Sequence, residues 1–414
     1  MPERSTLATF VRSRPGVYGI AKRLQPGYGL ARAWIAQAMR SVWAVPLVRR
    51  FAHNPKEVTT VERLLAQEDG ARAAVSAAWL FPSHSGARRL PSSGPDRVLE
   101  PFKAVETAES GKGGLVTVSH GLVWGRDGAV FTPAGQLIAD LSPVIRYGPR
   151  CHRVFVQPLI QEPRRVSGTL AVATGPSWDN WSHWLYGIVP RLMLLRRAYP
   201  GFRGIDRILL PPLSRDFQRE TVRRLGISDE MVITADGRTF LTADQVVAPT
   251  FISPARVVTP WFAADVNELF SSQDDPGAGA RRLYISRDDA PGRHVVNESD
   301  LLDALKPFGF EKILLSALSL REQIALFRTA SVVVGTHGAG LSNLVFCKPG
   351  THVLEIFAPS YINAMYWCVA DEVGLVYRYC VGRGDRNGRT GREGMVRADV
   401  RVDIPALLDM VKSL

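Results

Sequence analysis

Long apolar runs are missing from this chain. No stretch of about 18 uninterrupted apolar residues occurs, so a membrane-spanning helix is not expected. The early positive charges are not followed by the apolar core of a leader, so no secretory signal is expected either. Cysteine is scarce. The four residues, Cys151, Cys347, Cys368 and Cys380, have no C-x-x-C spacing. That argues against a disulfide frame or a zinc site and fits reduced thiols in a cytoplasmic protein. The patterns G-K-[ST] and G-x-G-x-x-G are absent, which excludes a Walker loop and a dinucleotide fingerprint. No aromatic-basic module or helix-turn-helix pattern is present, so nucleic acid is not an expected partner.

Acids are nearly absent from the first fifty residues. Nine Lys or Arg face one acid, Glu3, so this segment holds +8 of the chain's +12. Trp34, Ile35, Met39, Val42 and Trp43 recur there at near-helical spacing among Arg32, Arg40, Arg49 and Arg50. Such a segment either lies on an anionic membrane surface or packs its apolar stripe on the body. The rest is ordinary for a soluble globular protein, with 46% hydrophobic and 22% charged residues over 414 positions, enough for two or three domains.

The periodicity divides the chain. Residues 54–78 read as helical and 81–97, rich in Pro, Ser, Gly and Arg, as a linker, so 1–97 form a basic helical extension. From Gly114 the period becomes two, with Asp127-Gly128 at a hairpin turn. From Gly168 strands and helices alternate. Strands are expected at Leu170–Ala173, Ile208–Leu210, Val232–Thr234 and Val246–Val247. Helices are expected at Trp181–Ala198, kinked at Pro190, and Arg215–Leu225. After a loop near Asp274 to Ala280 a second series follows. Its strands are Leu283–Ser286, Lys312–Leu315, Val332–Val334, Val353–Ile356 and Leu375–Tyr379, with helices from near Glu298, Leu320 and Tyr361 and a terminal helix from Ile404. The expected class is α/β, with two Rossmann-like units, 98–258 and 259–414, facing a cleft.

Three stretches carry candidate chemistry. The first, Ala330 to Ala358, is a strand, a small-residue loop, a short helix at Leu341–Phe346 and a second strand. Glycines at 338 and 340 let backbone N–H groups approach an anion, His337 adds a donor, and Glu355 is suited to sugar hydroxyls. The competing reading is a tight turn that needs glycine for geometry alone. The second, Trp178-Asp179-Asn180-Trp181-Ser182-His183-Trp184, follows the first core strand. Indole faces suit sugar rings, and His183 suits a general base. Alternatively Trp181 and Trp184 belong to a buried stripe with His183 as a cap residue. The third, Ser286-Arg287-Asp288-Asp289 with Arg293 behind it, offers a phosphate grip or a surface ion pair. Adjacent acids without a third ligand make no metal site.

The set N-W-S-H-W, L-Y-I-S-R, R-H-V-V-N-E, G-T-H-G-A-G-L-S-N-L-V-F and H-V-L-E-I-F resembles glycosyltransferase family 61 over about residues 115–380. The resemblance implies a GT-B fold and inverting transfer from a nucleotide-sugar donor, commonly a UDP-sugar, in surface (capsular) polysaccharide biosynthesis. It implies no tightly bound cofactor. By position, Ser286, Arg287, Thr336, His337, Gly338, Ala339, Gly340, Asn343 and Glu355 would hold the donor. Trp178, Asn180 and Trp181 would meet a glycan or lipid-linked saccharide acceptor. His183, with Asp179 second, would act as base and Arg287 would steady the leaving diphosphate, in the cytoplasm or at the inner membrane face. A cleft that binds without turnover, or another Rossmann-type nucleotide-dependent enzyme, is the alternative.

Overall fold

The computed structural model describes residues 57–67, 74–85, 88, 90–91, 99–142, 149–157, 162–252, 258–271, 279–385 and 391–414. The basic segment 1–50, much of the expected linker and most of the loop near Asp274 lie outside the described residues.

Among the described residues the strands form two large sheets. The first contains β1 Glu57–Thr59, β2 Val75–Phe81, β3 Gly113–Ser119, β4 Leu122–Trp124, β5 Ala129–Phe131, β6 Gln136–Ile138, β7 Arg164–Val172, β8 Arg207–Leu210, β9 Val232–Thr234 and β10 Phe240–Pro249. On one side, β10 pairs in parallel with β7, which is followed in parallel by β8 and β9. On its other side β3 and β4 pair antiparallel with it, end to end. The expected hairpin is β4 and β5, closed by Gly125 to Gly128.

Several expectations need correction. Residues 54–78 are not one helix. A five-residue helix, Val61–Leu65, lies between β1 and β2. The alanine-rich run favours helix locally, but β3 offers an edge, and Val75 and Ala77 pair with Val118 and Val116. Tertiary pairing overrides propensity here. The strand expected at Val246–Val247 runs from Phe240 to Pro249, its alternation interrupted by a register shift at Ala243/Gln245. The helix expected at Trp181–Ala198 is not simply kinked. It runs as Trp181–His183, a π-helical turn at Trp184–Ile188, and Val189–Ala198. Val189 N–H bonds back to the Trp184 carbonyl, so the wider turn takes up the disruption that Pro190 introduces.

The second sheet is wholly parallel: β11 Arg281–Ile285, β12 Phe310–Ile313, β13 Ala330–Thr336, β14 His352–Phe357 and β15 Val376–Val381, in the order β12-β11-β13-β14-β15. The expected helix Leu341–Phe346 is a 3-10 segment, Ala339–Phe346. The helix expected near Tyr361 begins at Met365, after Asn363 accepts from the Met365 N–H at 3.0 Å. The helix at Glu298–Leu305 starts where expected, but the Asn297 side chain pairs with the backbone of Val402 instead of capping it.

Between β2 and β3 the chain crosses to the second sheet's core and returns. Phe102 is fully buried there, stacked on Tyr379 at 4.6 Å and edge-on to Trp367 at 5.6 Å and Phe357 at 6.2 Å. Leu99 N–H donates to the Tyr379 hydroxyl at 3.3 Å. This strap binds the two halves.

The parallel part of each sheet has one point where chain order reverses. In the first it lies between β7 and β10, in the second between β11 and β13. Ligands of open α/β sheets sit outside such points, at the carboxyl ends of the strands.

Candidate functional site

The loops beyond both reversal points line one cavity of about 840 Å³. After β7 come Gly175, Asn180, Ser182 and His183, and after β10 come Thr250 and Phe251. From the second sheet come Arg293, His337, Gly338 and Ala339, with Tyr361 and Tyr366.

His337 is buried at the end of β13. Its Nδ1 lies 2.5 Å from Glu355 Oε1, which leaves Nε2 as the ring nitrogen not engaged by that carboxylate. The ring is boxed by Phe357 at 5.5 Å, Tyr361 at 5.4 Å and Tyr366 at 5.0 Å. Burial pulls the imidazole below its usual pKa, against the pull of Glu355, and Arg293 and Arg287 push the same way as burial. Glu355 is fully buried on β14. Its second oxygen accepts from the Tyr377 hydroxyl, so Glu355 orients His337 and does not reach the cavity.

Arg287 stands directly behind Gly338. A Cβ on that glycine would lie 1.9 Å from the arginine's Nη1, so the bare glycine leaves the room in which the guanidinium stands, while its φ of −178° would admit any residue. Arg287 Nε and Nη2 donate to the Gly292 carbonyl at 3.3 and 3.0 Å. Burial, then the Arg293 charge, lowers the Arg287 pKa to about 10. Arg293, at φ 63°, lies over the Tyr361 ring at 5.3 Å, and burial lowers its pKa too. Its buried Nε has no hydrogen-bond partner among the described residues. Among the described residues neither arginine has a carboxylate within 4 Å. Two close, partly desolvated cations with an unmet donor suit a multiply charged anion.

The other expected donor residues are supports. Ser286 donates to Glu298 at 2.9 Å, and the Thr336 hydroxyl to the Arg293 carbonyl at 3.2 Å. Gly340 packs on Leu315, where a Cβ would come within 2.7 Å. Asn343 is fully buried. It accepts from Trp181 Nε1 at 2.9 Å and donates to Gln323 at 3.0 Å, latching the two halves together. Asp288 pairs with Lys312 at 2.5 Å. Among the described residues no three His, Cys, Asp or Glu side chains converge on a metal position.

On the opposite wall, Asn180 caps the helix start, accepting from Ser182 N at 3.0 Å and His183 N at 3.4 Å. This turns the exposed His183 to the cavity rim. Trp181 and Trp178 do not line the cavity. Trp181 is held by Asn343 and by Phe217 at 5.2 Å, and Trp178 offers its carbonyl to Gln218 at 3.0 Å. Trp184 is core. Asp179 is exposed and outside the lining.

Sequence reasoning missed Trp79, Lys112, Arg191 and Phe251 as lining residues. None has a motif around it. Arg191 is buried beneath the π-turn. It donates to the carbonyls of Pro249 at 3.1 Å, Thr174, and Val172 at 2.8 Å, and its guanidinium lies 4.1 Å from the Phe251 ring. Burial lowers its pKa to about 9.

Two α/β sheets whose reversal points share one cationic cavity define a Rossmann-like architecture compatible with glycosyl transfer. Residues 181–354 match the model of the glycosyltransferase 61 family. A beta-1,2-xylosyltransferase of Arabidopsis thaliana is 29% identical over 117 residues, 23% of this chain and 22% of the plant protein. The beta-1,2-xylosyltransferase RCN11 of Oryza sativa subsp. japonica is 33% identical over 128 residues, 27% of this chain and 24% of its own length. The chain thus spans under a quarter of either relative. Among the described residues no helix is long and apolar enough to cross a membrane.

Proposed function

We propose that the chain is an inverting glycosyltransferase with a GT-B-like arrangement. It moves a sugar from a nucleotide-sugar donor, read as UDP-linked, to a hydroxyl of a glycan or lipid-linked saccharide in surface polysaccharide synthesis. The observation that carries this reading is the shared cavity, with Arg293 beside His337 on one wall, Arg287 behind Gly338 of that wall, and His183 on the other. The donor diphosphate lies against Arg293, Gly338 and Ala339, with Arg287 behind. The acceptor oxygen attacks the anomeric carbon from the far side, and the bond from that carbon to the diphosphate oxygen breaks. The acceptor proton passes to His183, and the arginine pair stabilises the charge that develops on the leaving diphosphate. The two plant relatives, named as xylosyltransferases, support a pentose as the transferred sugar.

The test is turnover of a UDP-sugar panel including UDP-xylose. His183→Ala is expected to lower kcat by about 10²–10⁴-fold with little change in donor affinity. Arg287→Ala is expected to weaken UDP binding as well as turnover. Near wild-type rate and affinity in both variants would overturn the assignment.

A further inference from the structure

The first-sheet side of the cavity contains a second recognition element. Trp79 keeps the register of Val75 and Ala77 against β3 and stands near the carboxyl end of β2, just before the pairing slips between Trp79 and Phe81. Trp79 is left 45% exposed, and it lines the cavity. Trp79 pairs with Gly114, where a Cβ would lie 2.8 Å from ring atom Cε3, so the indole comes close to bare backbone there. The Lys112 ammonium lies over the ring, 5.5 Å from its centroid, on a flexible exposed side chain. Lys112 is exposed to the cavity and has no carboxylate within 4 Å among the described residues. The cavity's described lining holds Lys112, Arg191 and Arg293 against one carboxylate, Asp140, which accepts from Val61 N at 2.9 Å. The donor's diphosphate is met by the arginines across the cavity, so the charge at Lys112 is left for something else.

We propose that an acidic sugar residue of the acceptor stacks its apolar C–H face on Trp79 and sets its anionic group, a carboxylate or a phosphate, against Lys112. A rigid, partly exposed indole matches the flat underside of a pyranose ring. A cation beside that ring adds preference for negative charge without a bidentate fork, which leaves the type of anion open. The proposal rests on the transfer reading and names the class of its acceptor.

The test is binding by the full chain of uronate tetrasaccharides (galacturonate, glucuronate and mannuronate), of a 6-phosphorylated mannose oligosaccharide, and of carboxyl-reduced or dephosphorylated counterparts. At least one acidic ligand is expected to bind better than its neutral counterpart, and which arm succeeds identifies the anion. Trp79→Ala is expected to weaken that ligand and its neutral counterpart about tenfold. Lys112→Gln, on an exposed side chain that folding does not need, is expected to remove about three- to fivefold of preference for the acidic one. UDP affinity stays unchanged in both. Equal binding of acidic and neutral ligands by the wild type, or wild-type affinity and preference in both variants, overturns the proposal. Failure of the wild type to bind UDP strikes instead at the transfer reading, so the two failures are distinguishable.

Discussion

Replacing Gly338 by alanine isolates the anion grip from the rest of the fold. The backbone at 338 is extended, with φ at −178°, so alanine adds no backbone strain. The new methyl would sit 1.9 Å from Arg287 Nη1 and 2.8 Å from its Cζ. Ordinary contact needs about 3.4 Å, so the end of the side chain must retreat by roughly 1.5 Å. That movement strains the two donations to the Gly292 carbonyl and takes the guanidinium away from the site's phosphate side. A hydrogen bond to a charged group is worth about 1.5–3 kcal/mol, so UDP should bind about 10- to 150-fold more weakly. Calorimetric titration of UDP into wild type, Gly338→Ala, Arg287→Ala and the double variant measures this. Because both changes act through one side chain, the double variant should be no weaker than Arg287→Ala alone. Wild-type affinity in Gly338→Ala, or strict additivity in the double variant, would refute the reasoning.

Two further outcomes are expected. Phe102→Ala empties the aromatic cage of Tyr379, Trp367 and Phe357 and should lower stability in urea by about 3–5 kcal/mol, and a loss under 1 kcal/mol would mean the strap is not anchored there. Glu372 has its pKa raised to about 7 by burial and then by Asp371. The folded state therefore keeps a proton that the unfolded state has lost, and the group's contribution falls as pH rises from about 4.5 to about 7. Glu372→Gln should flatten the stability profile in that window, and an unchanged profile would rule out this source.

Much of the second half was legible along the chain. Its central strands, β13 and β14, are short apolar runs buried on both faces, and that pattern survives any packing because each run must find two covered sides. The turn at Gly338 was legible as well, since few residues other than glycine permit so close an approach. Less legible was the region before Gly113. Alanine-rich sequence favours helix until an unpaired strand edge is available, and no local signal announces that edge.

Burial and partners, which arise only from packing, divided the candidate site. Glu355 and Asn343 stand in the same loop-and-strand unit as His337. Yet the carboxylate turned inward to hold the imidazole, and the amide turned across to hold Trp181. Composition marks such residues as polar and close to the loop, but it carries no information on which way a side chain faces. Trp79, Lys112 and Arg293 reach one cavity from positions up to 214 apart in sequence. The order of the strands and the return of the strap bring them together, and both depend on contacts between distant segments. Local sequence sets which elements form. The meeting of their ends is a long-range event, decided when the two sheets pack.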